Sequence, residues 1–171
     1  NLTPVTNIAF SKLQATSKDG HSKAFDESAN GYGRGEGGGV LLLKSLEDAQ
    51  RDGNHILGVI CGSYLNQDGK SNGLTAPNGE AQKKLIEATL KKSGVRPEDV
   101  DYIEMHGTGT KLGDPIEVNA VIDTYCKNRN NVLKIGSVKS NIGHLEAAAG
   151  IASIIKTLLA FRHDVIPGNL H

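Results

Sequence analysis

Excess charge of either sign is missing from this chain: lysine plus arginine and aspartate plus glutamate both number 19, and the formal net charge is zero. That excludes an electrostatic grip on nucleic acid or on an anionic membrane as its organising feature. Cysteine is scarce. Cys61 and Cys126 stand far apart among 171 residues, with no CxxC pair and no disulfide framework. That pattern fits a reducing, cytoplasmic compartment. No apolar run approaches the ~18 residues that a membrane span requires. The opening NLTPVTNIAF has neither a basic segment nor a continuous apolar stretch, so it does not read as a signal peptide. It also lacks an initiator methionine, and VIPGNLH ends without a closing element. Both ends read as cut from something longer.

Hydrophobic residues make up 37% and charged residues 22%, which allows one packed domain rather than a disordered chain. Glycine, at 21 residues, predicts many tight turns. There is no internal repeat. Residues 1–39 read as turn-rich, with the densest glycine cluster in GYGRGEGGG (31–39). GVLLLKSL (39–46) and HILGVICGSYLN (55–66) read as strands, the second buried. SLEDAQRDG (45–53) predicts a short helix capped by Ser45 and stopped by Gly53. NQDGKSNGLTAPNG (66–79) is a loop.

EAQKKLIEATLKKSG (80–94) is the clearest helix, with Ala81, Leu85, Ala88 and Leu90 towards one side. RPEDVDYIEMHG (96–107) predicts a turn and then a strand, and VLKIGSV (132–138) a strand. DPIEVNAVIDTYCKN (114–128) predicts a helix with Asp114 as N-cap and Pro115 at its first position. HLEAAAGIASIIKTLLAFRH (144–163) reads as one long helix. Alternating strands and helices imply an α/β layer with a mostly parallel sheet, whose ligands sit off the carboxyl ends of the strands.

Two such ends carry histidines. In HGTGT (106–110), Gly107 and Gly109 allow a sharp turn, and Thr108 and Thr110 place hydroxyls beside His106. The loop can present an imidazole to a polar chain, or simply satisfy a histidine with backbone groups. In VKSNIGHLEAAAG (138–150), Lys139 disfavours an imidazolium at His144, and a neutral ring can accept a proton or donate a hydrogen bond to developing negative charge. The competing reading is a surface lysine and a histidine at a helix start. No third ligand stands at metal-binding spacing, so no metal is expected. GYGRGEGGG contains G-x-G-x-x-G, but an apolar run rather than a helix follows, which rejects a dinucleotide fingerprint and leaves Arg34 and Glu36 as an expected ion pair. Cys126 falls in the last turn of a helix and Cys61 in a strand, so neither reads as a nucleophile.

Taken together, KAFDESANGYGRGEGGGVLLLK, NQDGKSNGLTAPNGEAQ, YIEMHGTGTKLGDPIE, IGSVKSNIGHLEAAAGIASIIK and IPGNLH resemble, in order and over nearly the whole chain, the ketosynthase (β-ketoacyl synthase) domains of type I polyketide synthases. Gly168 stands where that family usually has a second proline. The resemblance implies an α/β, thiolase-like layered fold, here without the N-terminal nucleophile region and the last strands. It places the end of the N-terminal half at about residues 1–53 and most of the C-terminal half at about 54–171. It implies decarboxylative Claisen condensation between a cysteine-bound acyl chain and a malonyl-type extender carried on the phosphopantetheine of an acyl carrier protein.

The resemblance also implies His106 and His144 as a catalytic pair, Lys139 as the lysine that tunes His144, and Thr108 and Thr110 as ligands of the phosphopantetheine arm. The nucleophilic cysteine would lie upstream, so none is expected in this chain, and no cofactor is expected to bind it directly. Implied partners are the carrier protein, acyl and malonyl-type thioesters, other synthase domains and a second copy in a homodimer. Two other readings stay open: a non-catalytic or decarboxylase-like homologue that binds carrier protein, and a fatty acid synthase condensing domain.

Overall fold

The computed structural model describes residues 3–71, 73 and 76–171. The predicted 66–79 loop therefore lies partly outside the described residues, as do the first two positions of the chain. Eight regular elements are described apart from two single 3₁₀ turns. They are α1 (Pro4–Lys12), α2 (Leu46–Arg51), α3 (Gly79–Ser93), β1 (Tyr102–Glu104), α4 (Gly113–Tyr125), β2 (Lys134–Gly136), α5 (Lys139–Ile142) and α6 (Ala149–His163).

The centre is a βαβ unit. β1 and β2 pair in parallel, with Ile103 opposite Ile135, and α4 makes the crossover that parallel strands need. Arg129 secures the amino ends of both strands, donating to Pro97 O (2.9 Å), Asn131 O (2.9 Å) and Val100 O. α3 packs on α4, and Lys83 bridges them through Glu80 (2.9 Å) and Asp123 (3.1 Å). Asn78 caps α3 through Ala81 N, and Gly94, in the left-handed region, ends it at Leu90 O. Ser45 caps α2 as its sequence predicts.

Several expectations are corrected. Residues 39–46 and 55–66 join no ladder among the described residues, and their apolar side chains face outward: Leu42 is 98% exposed and Leu65 93%. A strand requires a neighbour to take its amides, and none of the described residues supplies one. Cys61, expected in buried packing, is exposed. Residues Pro4–Lys12 form a helix where turns were expected, because Thr3 accepts from Val5 N and Pro4 opens the first turn. The expected helix from His144 begins only at Ala149, since Glu146 (φ +53) interrupts it and Glu146–Ala148 form a single 3₁₀ turn. Apart from these corrections, Arg34 reaches Glu146 Oε1 (3.3 Å) and Asn7. The buried apolar side chains among the described residues are alanines together with Met105 and Val121.

Candidate functional site

The site lies at the carboxyl ends of the two paired strands, where ligands of parallel sheets collect. The chain leaves β1 into residues 105–110 and leaves β2 into residues 137–144. These two loops bring His106 and His144 together: their ring centroids lie 5.3 Å apart at 84°, edge to face. Tyr32 also stands against His144, at 5.2 Å between centroids.

α4 shapes the first loop through two carboxylates that sequence reasoning missed as site residues. Glu117 accepts from His106 N (2.7 Å) and Gly107 N (2.9 Å). Asp114 was expected to cap α4. It instead sits inside the helix and turns its buried carboxylate back to Gly109 N (3.2 Å), Thr110 N (3.4 Å) and Phe25 N (2.9 Å). The residue at the N-cap, Leu112, makes no side-chain bond, and Thr110 Oγ1 accepts from Gly113 N (3.2 Å), the first amide of the helix. Thr108 Oγ1 lies 3.2 Å from Thr110 Oγ1, with Thr108 largely buried. Gly107 has no room for a side chain: at φ +44, a Cβ would meet Ser137 Cβ at 2.7 Å and the Phe25 ring at 2.8 Å. The signal for Asp114 and Glu117 was present, because acids three apart on one helix face can both reach back to the preceding loop.

The second loop is stitched to the first. Ser137, fully buried, places its Oγ against Gly107 O (3.0 Å) and His106 O (3.2 Å). Asn169 accepts from Ser137 N (3.1 Å) and donates to Ala24 O (3.1 Å), so the last described segment also braces the site. The glycine cluster explains itself here. Gly33 O accepts from His144 N (2.7 Å), and Gly35 N donates to His144 O (2.9 Å). A Cβ on Gly35 would come within 2.2 Å of Ile142 O. Residues 33–35 form a backbone strap on His144, and the Ile142 carbonyl leaves no room for a side chain at Gly35.

His106 is exposed at the surface and His144 half-buried, yet the atoms packed around both disfavour the charged rings. His106 is driven down to about 4, first by desolvation, then by Lys139 and by His144. His144 is lowered by desolvation and by Lys139, against Glu146. Desolvation therefore outranks the lysine that sequence spacing emphasises. Lys139 is 3% exposed, and its ammonium is lowered by desolvation while Glu117, Glu104 and Asp114 oppose the shift. Burial raises the Glu117 carboxyl, against hydrogen bonds from Gly107 N and His106 N.

The tautomer of His144 is also set. Glu146 N donates to its Nδ1 (2.9 Å), which leaves the ring proton on Nε2. Glu146 does this from a left-handed conformation, φ +53, that non-glycine residues seldom adopt. A pair of neutral imidazoles with N–H groups available at one place can donate two hydrogen bonds to an oxygen that becomes negative.

The sequence matches the family described as beta-ketoacyl synthase, C-terminal domain, over residues 57–171, and beta-ketoacyl synthase, N-terminal domain, over residues 1–49. The chain belongs to the beta-ketoacyl synthase family. Among curated relatives of this beta-ketoacyl synthase chain, pikromycin polyketide synthase component PikAII of Streptomyces venezuelae is 52% identical over 171 residues, 99% of the chain and 5% of the relative. Mycoketide-CoA synthase of Mycobacterium tuberculosis is 50% identical over 174 residues, 100% of the chain and 4% of the relative. The solved ketosynthase from module 6 of the bacillaene synthase of Bacillus subtilis superposes with a TM-score of 0.96 at 46% identity, covering 99% of the chain and 31% of that structure.

The β-ketoacyl synthase chain is thus α/β with the thiolase-like ketosynthase fold, and it spans a small part of the polyketide synthases it resembles. Its Cys126 closes the far end of α4, about 18 Å along the helix from Asp114 at 1.5 Å per residue. No group of three metal-ligating side chains is found among the described residues, and no helix there is long and apolar enough to cross a membrane.

Proposed function

We propose that this chain supplies the decarboxylation centre of a polyketide synthase ketosynthase, an acyltransferase that extends a cysteine-bound acyl chain by decarboxylative Claisen condensation. The observation that carries the reading is the edge-to-face His106–His144 pair, both rings held neutral at the ends of two parallel strands.

In this reading the malonyl carboxylate leaves as carbon dioxide and its C–C bonding electrons move onto the thioester oxygen as an enolate. His106 and His144 donate N–H to that oxygen as charge develops. The resulting α-carbon attacks the acyl thioester carbonyl, and the cysteine thiolate departs. Thr108 and Thr110 offer paired hydroxyls to the amides of the phosphopantetheine arm on an acyl carrier protein, which holds the reacting carbon in place. Lys139 supports the neutral state of both rings through its buried charge. The carrier protein, neighbouring synthase domains and a second copy of the ketosynthase are the partners this reading requires.

The test uses the ketosynthase that carries this chain. His144→Ala abolishes decarboxylation of carrier-bound malonyl yet leaves acyl transfer onto the nucleophilic cysteine intact, while Thr108→Val chiefly raises KM for the carrier-bound substrate. Equal loss of acylation and decarboxylation in His144→Ala refutes the assignment.

A further inference from the structure

Behind the site lies a buried polar cluster that the reaction itself does not use. Glu104, the last residue of β1, has a side chain only 6% exposed, and Lys156 of α6, at 12%, reaches its Oε2 at 2.7 Å. Tyr102 donates to the same oxygen, and the Lys156 ammonium stands 5.6 Å over the Tyr102 ring. Burial keeps that phenol well above its usual range, so it remains a donor. The neighbouring strand leaves room for this cluster: a Cβ on Gly136 would fall 2.8 Å from Tyr102 Oη and 3.4 Å from Lys156 Nζ.

The second carboxylate oxygen points elsewhere. Glu104 Oε1 accepts from Val138 N at 2.5 Å. Val138 is the residue from which α5 starts, and its carbonyl accepts from Asn141 N (2.9 Å) and Ile142 N (3.1 Å). Lys139 follows it directly, and His144 follows α5 after Gly143. Two donors thus fix one oxygen of Glu104, and the other fixes the first amide of the loop that carries both site residues. A buried carboxylate held by a cation and a hydroxyl has little freedom to rotate, so it sets the position of that amide.

Building on the proposed decarboxylation centre, we infer that Glu104, clamped by Lys156 and Tyr102, is a positioning residue that sets the register of the Lys139–His144 loop through Val138 N. A displacement of about 1 Å at a reacting group costs up to about 10²-fold in rate. Glu104→Ala in the ketosynthase that carries this chain should therefore lower kcat for malonyl decarboxylation about 10- to 100-fold. KM for the carrier-bound substrate and the acylation rate stay unchanged. The double variant Glu104→Gln with Lys156→Met keeps an acceptor oxygen for Val138 N and strands no buried charge, and it should recover most of the rate.

Nitrogen NMR of labelled histidine gives an independent reading. The single Nε2–H tautomer of His144 becomes a mixture in Glu104→Ala and returns in the double variant. If Glu104→Ala does not fold, the double variant decides alone: near-normal turnover with one His144 tautomer supports the role. Unchanged kcat in Glu104→Ala, equal loss of acylation and decarboxylation, or a double variant with low turnover and mixed tautomers overturns it. An unmodified ketosynthase that does not decarboxylate malonyl would sink the proposed function instead, and the His144 tautomer would still test Glu104.

Discussion

Asp114 offers the sharpest test of how the histidine loop is held. Its side chain is buried and accepts from Phe25 N at 2.9 Å and from Gly109 N at 3.2 Å to each oxygen, with Thr110 N more distant at 3.4 Å. Two of these are well-formed bonds to a charged acceptor, each contributing about 1.5–3 kcal/mol, so Asp114→Ala removes about 3–6 kcal/mol from the local structure. The loop is closely packed on its other side, because Gly109 lies tight against Lys23 N, with 2.6 Å to where a Cβ would stand.

Hydrogen exchange measured by mass spectrometry reads that loss directly. Protection of the amides at 25 and 109 should fall about 10²- to 10⁴-fold, limited by global unfolding, while the amides of α3 keep theirs. Asp114→Asn keeps one acceptor oxygen but turns an NH₂ towards the same donors, so about half of the energy loss is expected. A second consequence is electrostatic. Burial raises the Glu117 carboxyl and Asp114 adds to it, so Asp114→Ala moves Glu117 back towards its ordinary range. Unchanged protection at 25 and 109, or a loss spread evenly into α3, refutes the reasoning.

Gly35→Ala should displace the His144 loop, because its Cβ would press on Ile142 O; overpacking of this kind costs about 1–3 kcal/mol, and malonyl decarboxylation should fall with it. Gly38→Ala is the matched control, since nothing lies within 4 Å of its Cβ, and a similar loss there would exclude the strap. The His106 ring, followed by carbon NMR, should titrate near 4. Its hydrogen-bonding neutral form, and the decarboxylation that depends on it, persists above that value and is lost as pH falls through it. Lys139→Met removes the second-largest cause of the depression, after desolvation, so the midpoint should rise towards 6.5 without reaching it. A midpoint that stays put would show that Lys139 does not act on the ring.

Local rules made much of this protein legible. Ser45, Gly94 and the lysines at the end of α3 mark helix ends by side-chain and backbone chemistry that operates within one turn. The histidine loops are short, glycine-bearing and placed after apolar runs, so HGTGT and KSNIGH stand out without any fold. The runs at 39–46 and 55–66 failed as strand predictions for the opposite reason: apolar content is local, but a ladder needs a second chain segment. Helix 144–163 failed because a left-handed Glu146 is not written in its own residue type; its conformation is stabilised by the bond to His144 and the ion pair with Arg34.

The sequence by itself determined the residue types of the site, the spacing that sets them at strand ends and the family to which the chain belongs. Tertiary structure alone decided that Glu117 and Asp114 reach back to hold the loop, and that the backbone of Gly33 and Gly35 straps His144. It also decided that desolvation by neighbouring atoms, more than Lys139, disfavours the charged rings, and that Glu104 and Lys156, 52 residues apart, meet behind them. Those are distances between segments remote in the chain, and desolvation and hydrogen-bond direction exist only once those segments are packed.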